Sequence, residues 1–138
     1  MPHVEPLVFI VDDDVSVRES LELLFRSAGW RAETFASAQA FLSRPPATTP
    51  ACLVLDIELP GLNDRELQER IAVDRSAMPI IFITGHDDVP ATIRAMNGGA
   101  VEFFTKPFVA DSLMQALERA IERSRRAFGQ AADQRESR

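Results

Sequence analysis

The feature that most constrains this chain is a strict alternation between short apolar runs and segments of helical period. Leu7–Val11, Trp30–Phe35, Cys52–Asp56, Met78–Thr84 and Ala100–Thr105 each read as a strand. After the first of them, Val17, Leu21, Leu24, Phe25 and Ala28 recur at three and four, with Arg18, Glu19, Glu22 and Arg26 opposite. Asp14 or Ser16 can cap that helix and Gly29 is placed to end it. Ser37–Arg44 predicts a short helix stopped by Pro45-Pro46. Asn63 and Glu66 form a capping box after Pro60-Gly61, with Leu62 and Leu67 spaced as a staple. Val89–Asn97 predicts a further helix closed by Gly98-Gly99, and Leu113, Leu117, Ala120 and Ile121 mark the buried face of a last one. Five βα units in a row require a parallel sheet covered on both faces. The predicted class is therefore α/β, a doubly wound (βα)5 domain with a five-stranded parallel sheet. Trp30–Phe35, the least apolar run, suits an outer strand.

In an open parallel sheet, ligands sit beyond the carboxyl ends of the strands. Every reactive candidate here directly follows a strand. Asp12, Asp13 and Asp14 follow the first, Asp56 ends the third, Thr84 ends the fourth and Lys106 follows the fifth. Far apart in sequence, they must meet at one sheet edge. An aspartate ending a buried strand is costly unless its charge is used. Clustered carboxylates either take up a proton or attract a cation, and all-oxygen ligation suits Mg²⁺. A carboxylate can also attack phosphorus, with a metal and a lysine neutralising the phosphoryl oxygens. No Gly-rich loop for a bound nucleotide is present. Lys106 is the one lysine of the chain, every other basic residue being arginine, and a compact point charge fits such a role.

The remaining composition narrows the classes. The chain has 138 residues, enough for one domain with a proper core, and a net charge of −6 that argues against gripping nucleic acid directly. Cys52 is the single cysteine, so no disulfide forms within the chain. No signal peptide and no membrane span is expected, and the default location is cytoplasmic. Arg119, Arg123, Arg125 and Arg126 are interleaved with Glu118 and Glu122, the pattern of a solvated helix face. His3 and His86 lack metal-ligand spacing and read as loop residues.

Four motifs occur together: Phe9-Ile10-Val11-Asp12-Asp13-Asp14, Leu55-Asp56-x-x-x-Pro60-Gly61, Ile83-Thr84-Gly85-His86 and Phe103-Phe104-Thr105-Lys106-Pro107-Phe108. In this order and spacing, from about Leu7 to Arg123, the chain resembles the receiver domain of two-component response regulators. Thr84-Gly85-His86-Asp87-Asp88-Val89-Pro90, with Arg94-Ala95-Met96 and Ala100-Val101-Glu102-Phe103, is similar to FixJ-type regulators, which carry a LuxR-type helix-turn-helix output. The resemblance implies a flavodoxin-like sheet of order 2-1-3-4-5. It implies that Asp56 is the phosphoacceptor for a histidine kinase's phosphohistidine. Asp13 and Asp56 would ligate Mg²⁺ with the Glu58 backbone carbonyl, and Asp12 would act through water. Lys106 would pair with Asp56 and then with the phosphoryl group. Thr84 would move to the phosphate, Phe103 would turn inward, and the face of the fourth helix, fifth strand and last helix would dimerise or contact an output. The Lys106-Pro107 bond would be cis.

The expected division is a receiver over residues 1–123 and helix overhang with linker over 124–138, with DNA reached only through an output domain not in this chain. The receiver is not expected to be an enzyme acting on an external substrate, its chemistry being limited to its own phosphorylation and dephosphorylation. Two positions depart from the pattern. Asp64 stands where the family has glycine, either in the turn or as the first helical residue. Glu58 adds an anion at the rim and is expected to alter phosphate lifetime. Two alternatives are a pseudo-receiver that takes no phosphate and a phosphatase of the haloacid dehalogenase kind. The second is suggested by Asp12-x-Asp14-x-Ser16, against which stand the chain's shortness and the missing second acidic pair. A flavin-binding reading of the same fold lacks a phosphate-cradling loop after the first strand.

Overall fold

A computed structural model of the chain describes residues 6–56, 78–84, 102–106 and 108–136. The strands are β1 (Leu7–Val11), β2 (Arg31–Phe35), β3 (Ala51–Asp56), β4 (Ile80–Thr84) and β5 (Glu102–Thr105). The described helices are α1 (Val15–Ser27), α2 (Ala38–Leu42) and α3 (Ala110–Glu136). All strand pairs are parallel, in the order β2-β1-β3-β4-β5, as predicted. The capping box at Asn63 and Glu66, the helix predicted over Val89–Asn97, and Glu58, Asp64, His3, His86 and Pro107 lie outside the described residues.

Strand pleating sends successive side chains to opposite sides, and the core divides accordingly. Phe9, Val11, Leu53, Leu55 and Phe82 face α2, where they pack with Ala38 and Phe41. Val8, Ile10, Cys52, Val54, Ile81 and Ile83 face α1 and α3, packing with Leu21, Phe25, Leu113, Leu117 and Ile121. β1, β3 and β4 are buried at every position, which is why they read as unbroken apolar runs. Each fully buried side chain of this size contributes roughly 1.5–3 kcal/mol from burial alone. Cys52 sits within this core, and burial pushes its thiol pKa up, so it is a packing residue.

Local chemistry sets the element ends. The Asp14 carboxylate accepts from the Ser16 amide at 2.9 Å and caps α1. At the other end Gly29 takes φ +90°, and the Gly29 and Trp30 amides close on the Arg26 and Phe25 carbonyls. Trp30 therefore belongs to the helix closure, and β2 begins one residue later than its pattern suggests. Ser37 Oγ accepts from the Ala40 amide and caps α2, which ends at Leu42 with Ser43 as its C-cap, shorter than Ser37–Arg44. β2 is an edge strand, in keeping with its mixed composition.

α3 continues to Glu136, through residues that read as overhang and linker. Ser124 is buried, and its Oγ accepts the Ala51 amide at the start of β3 at 3.0 Å. On the exposed side of the same helix, Arg125 and Arg126 pair with Glu122, and Arg119 pairs with Glu102, as expected of a solvated face. Among the described residues, no helix is long and apolar enough to cross a membrane.

Candidate functional site

The register decides what meets at the carboxyl edge. Val11 is opposite Leu55, so Asp12 emerges beside Asp56. Asp56 is opposite Ile83, so Thr84 lies one step further. Thr84 is opposite Thr105, so Lys106 follows directly, and its amide donates to the Thr84 carbonyl at 2.7 Å. Asp12, Asp56, Thr84 and Lys106 are thus brought to one edge by strand pairing alone.

The pleat then separates them into two sets. Asp12 and Asp56 continue the face of Ile10 and Val54, and Lys106 continues that of Phe104. Thr84 continues the face of Phe82, the face on which Phe103 packs half-buried. Phe103 is directly opposite Phe82 and two residues before Thr105, so it lies diagonally across from Thr84 on the same side of the sheet.

Asp12 is fully buried, Asp56 is 5% exposed and Thr84 is fully buried. Two buried carboxylates face one ammonium. Lys106 Nζ lies 3.0 Å from Asp12 Oδ2 and 3.5 Å from Asp56 Oδ2. The shorter contact is with Asp12, although the resemblance pointed to Asp56. The lysine is shared, and it offsets only part of the negative charge. Burial works against its charged form, but the hydrogen bond to Asp12 and the fields of Asp56 and Asp12 outweigh that and raise its pKa. Its stem borders an open hollow of about 310 Å³ floored by Val17, Leu21, Leu24 and Phe108.

Asp13 is exposed, and one oxygen from each of Asp12, Asp13 and Asp56 lies within 4.8 Å of the others. Three hard oxygen donors this close are within reach of a common divalent cation, and the charge excess favours one. The residues present fit Mg²⁺. Asp14 is a helix cap and stays outside the group.

Asp12 is held at every polar atom. Its amide donates to the Phe35 carbonyl at 3.2 Å, and its Oδ1 accepts the Asp14 amide at 2.9 Å. Its Oδ2 faces Lys106, and its carbonyl oxygen accepts from the Arg18 guanidinium at 2.7 Å. Sequence reasoning placed Arg18 on the polar face of α1 and missed this contact. The available signal was its position one turn after the Asp14 cap, where a long side chain can reach back over the β1–α1 turn.

Comparison with known proteins finds relatives over most of the chain. Nodulation protein W of Bradyrhizobium diazoefficiens is 48% identical over 120 residues, covering 87% of this chain and 53% of that protein. Transcriptional regulatory protein FixJ of the same organism is 43% identical over 114 residues, covering 83% of this chain and 56% of that one. The solved structure of response regulator StyR superposes with a TM-score of 0.84 at 45% identity, covering 97% of this chain and 69% of that one. The chain spans about half the length of the curated relatives it matches. Residues 8–118 match the response regulator receiver domain, and the chain belongs to that family.

Proposed function

We propose that this chain is a phosphorylation-controlled switch whose acceptor is Asp56 and whose donor is the phosphohistidine of a histidine kinase. The observation that carries the reading is the meeting of two buried carboxylates, a shared lysine and a third carboxylate at one sheet edge. A carboxylate oxygen of Asp56 bonds to phosphorus as the phosphorus–nitrogen bond breaks, and the leaving imidazole keeps the electron pair. Asp12, Asp13 and Asp56 would hold Mg²⁺, which when bound supplies positive charge against the phosphoryl oxygens. Lys106 holds Asp12 and Asp56 together before transfer, and its ammonium is close enough to Asp56 to follow the new charge onto the phosphoryl group.

The readout uses the other side of the pleat. Thr84, one residue past the strand position opposite Asp56, hydrogen-bonds the phosphoryl group, and Phe103 turns into the space it vacates. The exposed side of β5 and α3 changes with it and serves a phosphorylation-dependent homodimer. In a longer protein, the same change would control a DNA-binding output. The relatives' printed names, which include a transcriptional regulatory protein, support that extension.

The test is intact mass after incubation with acetyl phosphate and Mg²⁺. The expected result is a gain of one phosphoryl group that is absent with EDTA and absent in Asp56→Asn. No gain from acetyl phosphate or from a phosphorylated histidine kinase would overturn the reading.

A further inference from the structure

Asp12 and Asp13 are adjacent in sequence and equal in chemistry, yet the structure treats them differently. Asp12 is fully buried and engaged at its amide, carbonyl and both carboxylate oxygens. Asp13 is exposed. Three of the four Asp12 contacts come from groups already required elsewhere: the β2 backbone, the α1 cap and Lys106. The fourth comes from Arg18, half-buried on α1, whose guanidinium meets the Asp12 carbonyl at 2.7 Å. That carbonyl is the hinge between β1 and the turn that carries Asp13. A charged donor on it fixes the peptide plane joining Asp12 to Asp13, and so the direction in which Asp13 leaves the strand.

We propose that Arg18 is a positioning residue for the cation site, setting the angle between the Asp12 and Asp13 carboxylates through the Asp12 carbonyl. The inference rests on the Mg²⁺ part of the proposed function but does not need phosphoryl transfer. It yields a sign that a simple charge effect does not. As a nearby positive charge alone, Arg18 would repel a divalent cation, and removing it would tighten binding. As a clamp on the peptide plane, removing it loosens binding, because outer groups that orient metal ligands typically carry about 10- to 100-fold in affinity.

The experiment titrates Mn²⁺, a hard divalent probe, into the full chain and follows loss of the free-ion paramagnetic resonance signal. Arg18→Met keeps the aliphatic bulk and removes both charge and donors. Arg18→Gln removes the charge and keeps a neutral donor. Arg18→Met is expected to weaken Mn²⁺ binding about tenfold, with Arg18→Gln between it and the parent. Both should melt like the parent in EDTA. Equal or tighter binding in Arg18→Met overturns the proposal. If Arg18→Met melts early in EDTA, Arg18→Gln decides: weaker binding supports the clamp, and equal or tighter binding overturns it. A parent chain that binds Mn²⁺ but takes no phosphoryl group would overturn the proposed function and leave this test readable. A parent chain that binds no Mn²⁺ would overturn both.

Discussion

Two charge pairs flank the same sheet and are built on different plans. At its β2 edge, Arg44 donates to both oxygens of Glu33 at 2.7 and 2.8 Å, and its guanidinium lies 4.8 Å above the Phe9 ring. One cation meets one anion in a fork geometry, and the planar group rests on an aromatic cluster of Phe9, Phe35 and Phe41. At the carboxyl edge, one lysine is shared between Asp12 and Asp56, with Asp13 close by. The first pair is closed. The second is short of positive charge, and its cation is a point charge that can change partner. The closed pair is built on an arginine and the shared one on the chain's single lysine.

The largest break in this comparison comes from the proposed acceptor. Asp56→Asn is expected to lose phosphoryl uptake completely in the mass assay while still folding. Lys106→Met should slow uptake from acetyl phosphate by about 100-fold or more at saturating Mg²⁺. In EDTA it should also lose about 3 kcal/mol in a denaturant titration, since two buried carboxylates are left without their cation. Arg44→Met should leave uptake unchanged and cost about 1 kcal/mol or less, the scale of a partly exposed pair. An uptake defect in Arg44→Met as large as that of Lys106→Met would erase the distinction.

The smallest effect, and the sharpest, is in pH. The hydrogen bond from Arg44, aided by its charge and partly opposed by burial, holds Glu33 below its ordinary range. A depressed folded pKa means that its stabilisation is present above the unfolded value of about 4.3 and is lost as pH falls through the folded one. The Lys106 pKa is raised, so its stabilisation is present below about pH 10.4 and is lost as pH rises through the folded value. The Lys106 contribution should therefore be lost at the alkaline end of a stability–pH curve and the Glu33 contribution at the acid end. Glu33→Gln should flatten the acid limb and leave the alkaline limb as it is, and Lys106→Met should flatten the alkaline limb.

The sheet was legible in the sequence because strands buried on both faces leave unbroken apolar runs, and Cys52–Asp56 and Met78–Thr84 did so. The meeting of Asp12, Asp56, Thr84 and Lys106 was legible for a topological reason: parallel strands bring their following residues to one edge. What stayed hidden depended on where long or buried polar side chains reach. Arg18 read as an ordinary helix-face charge and Arg44 as the end of a short helix, although one holds the Asp12 carbonyl and the other grips Glu33 on β2. Ser124 broke the apolar period of α3, so the pattern ended there, whereas its hydroxyl is buried against the Ala51 amide. The preference of Lys106 for Asp12 over Asp56 is a matter of half an ångström that no spacing encodes.

The most direct measurement is to locate the phosphoryl group. The chain, charged with acetyl phosphate and Mg²⁺, would be reduced with borohydride to convert an acyl phosphate to an alcohol, then digested and sequenced by tandem mass spectrometry. The account predicts conversion at Asp56 alone. Conversion at Asp12 or Asp13 with Asp56 intact would contradict it.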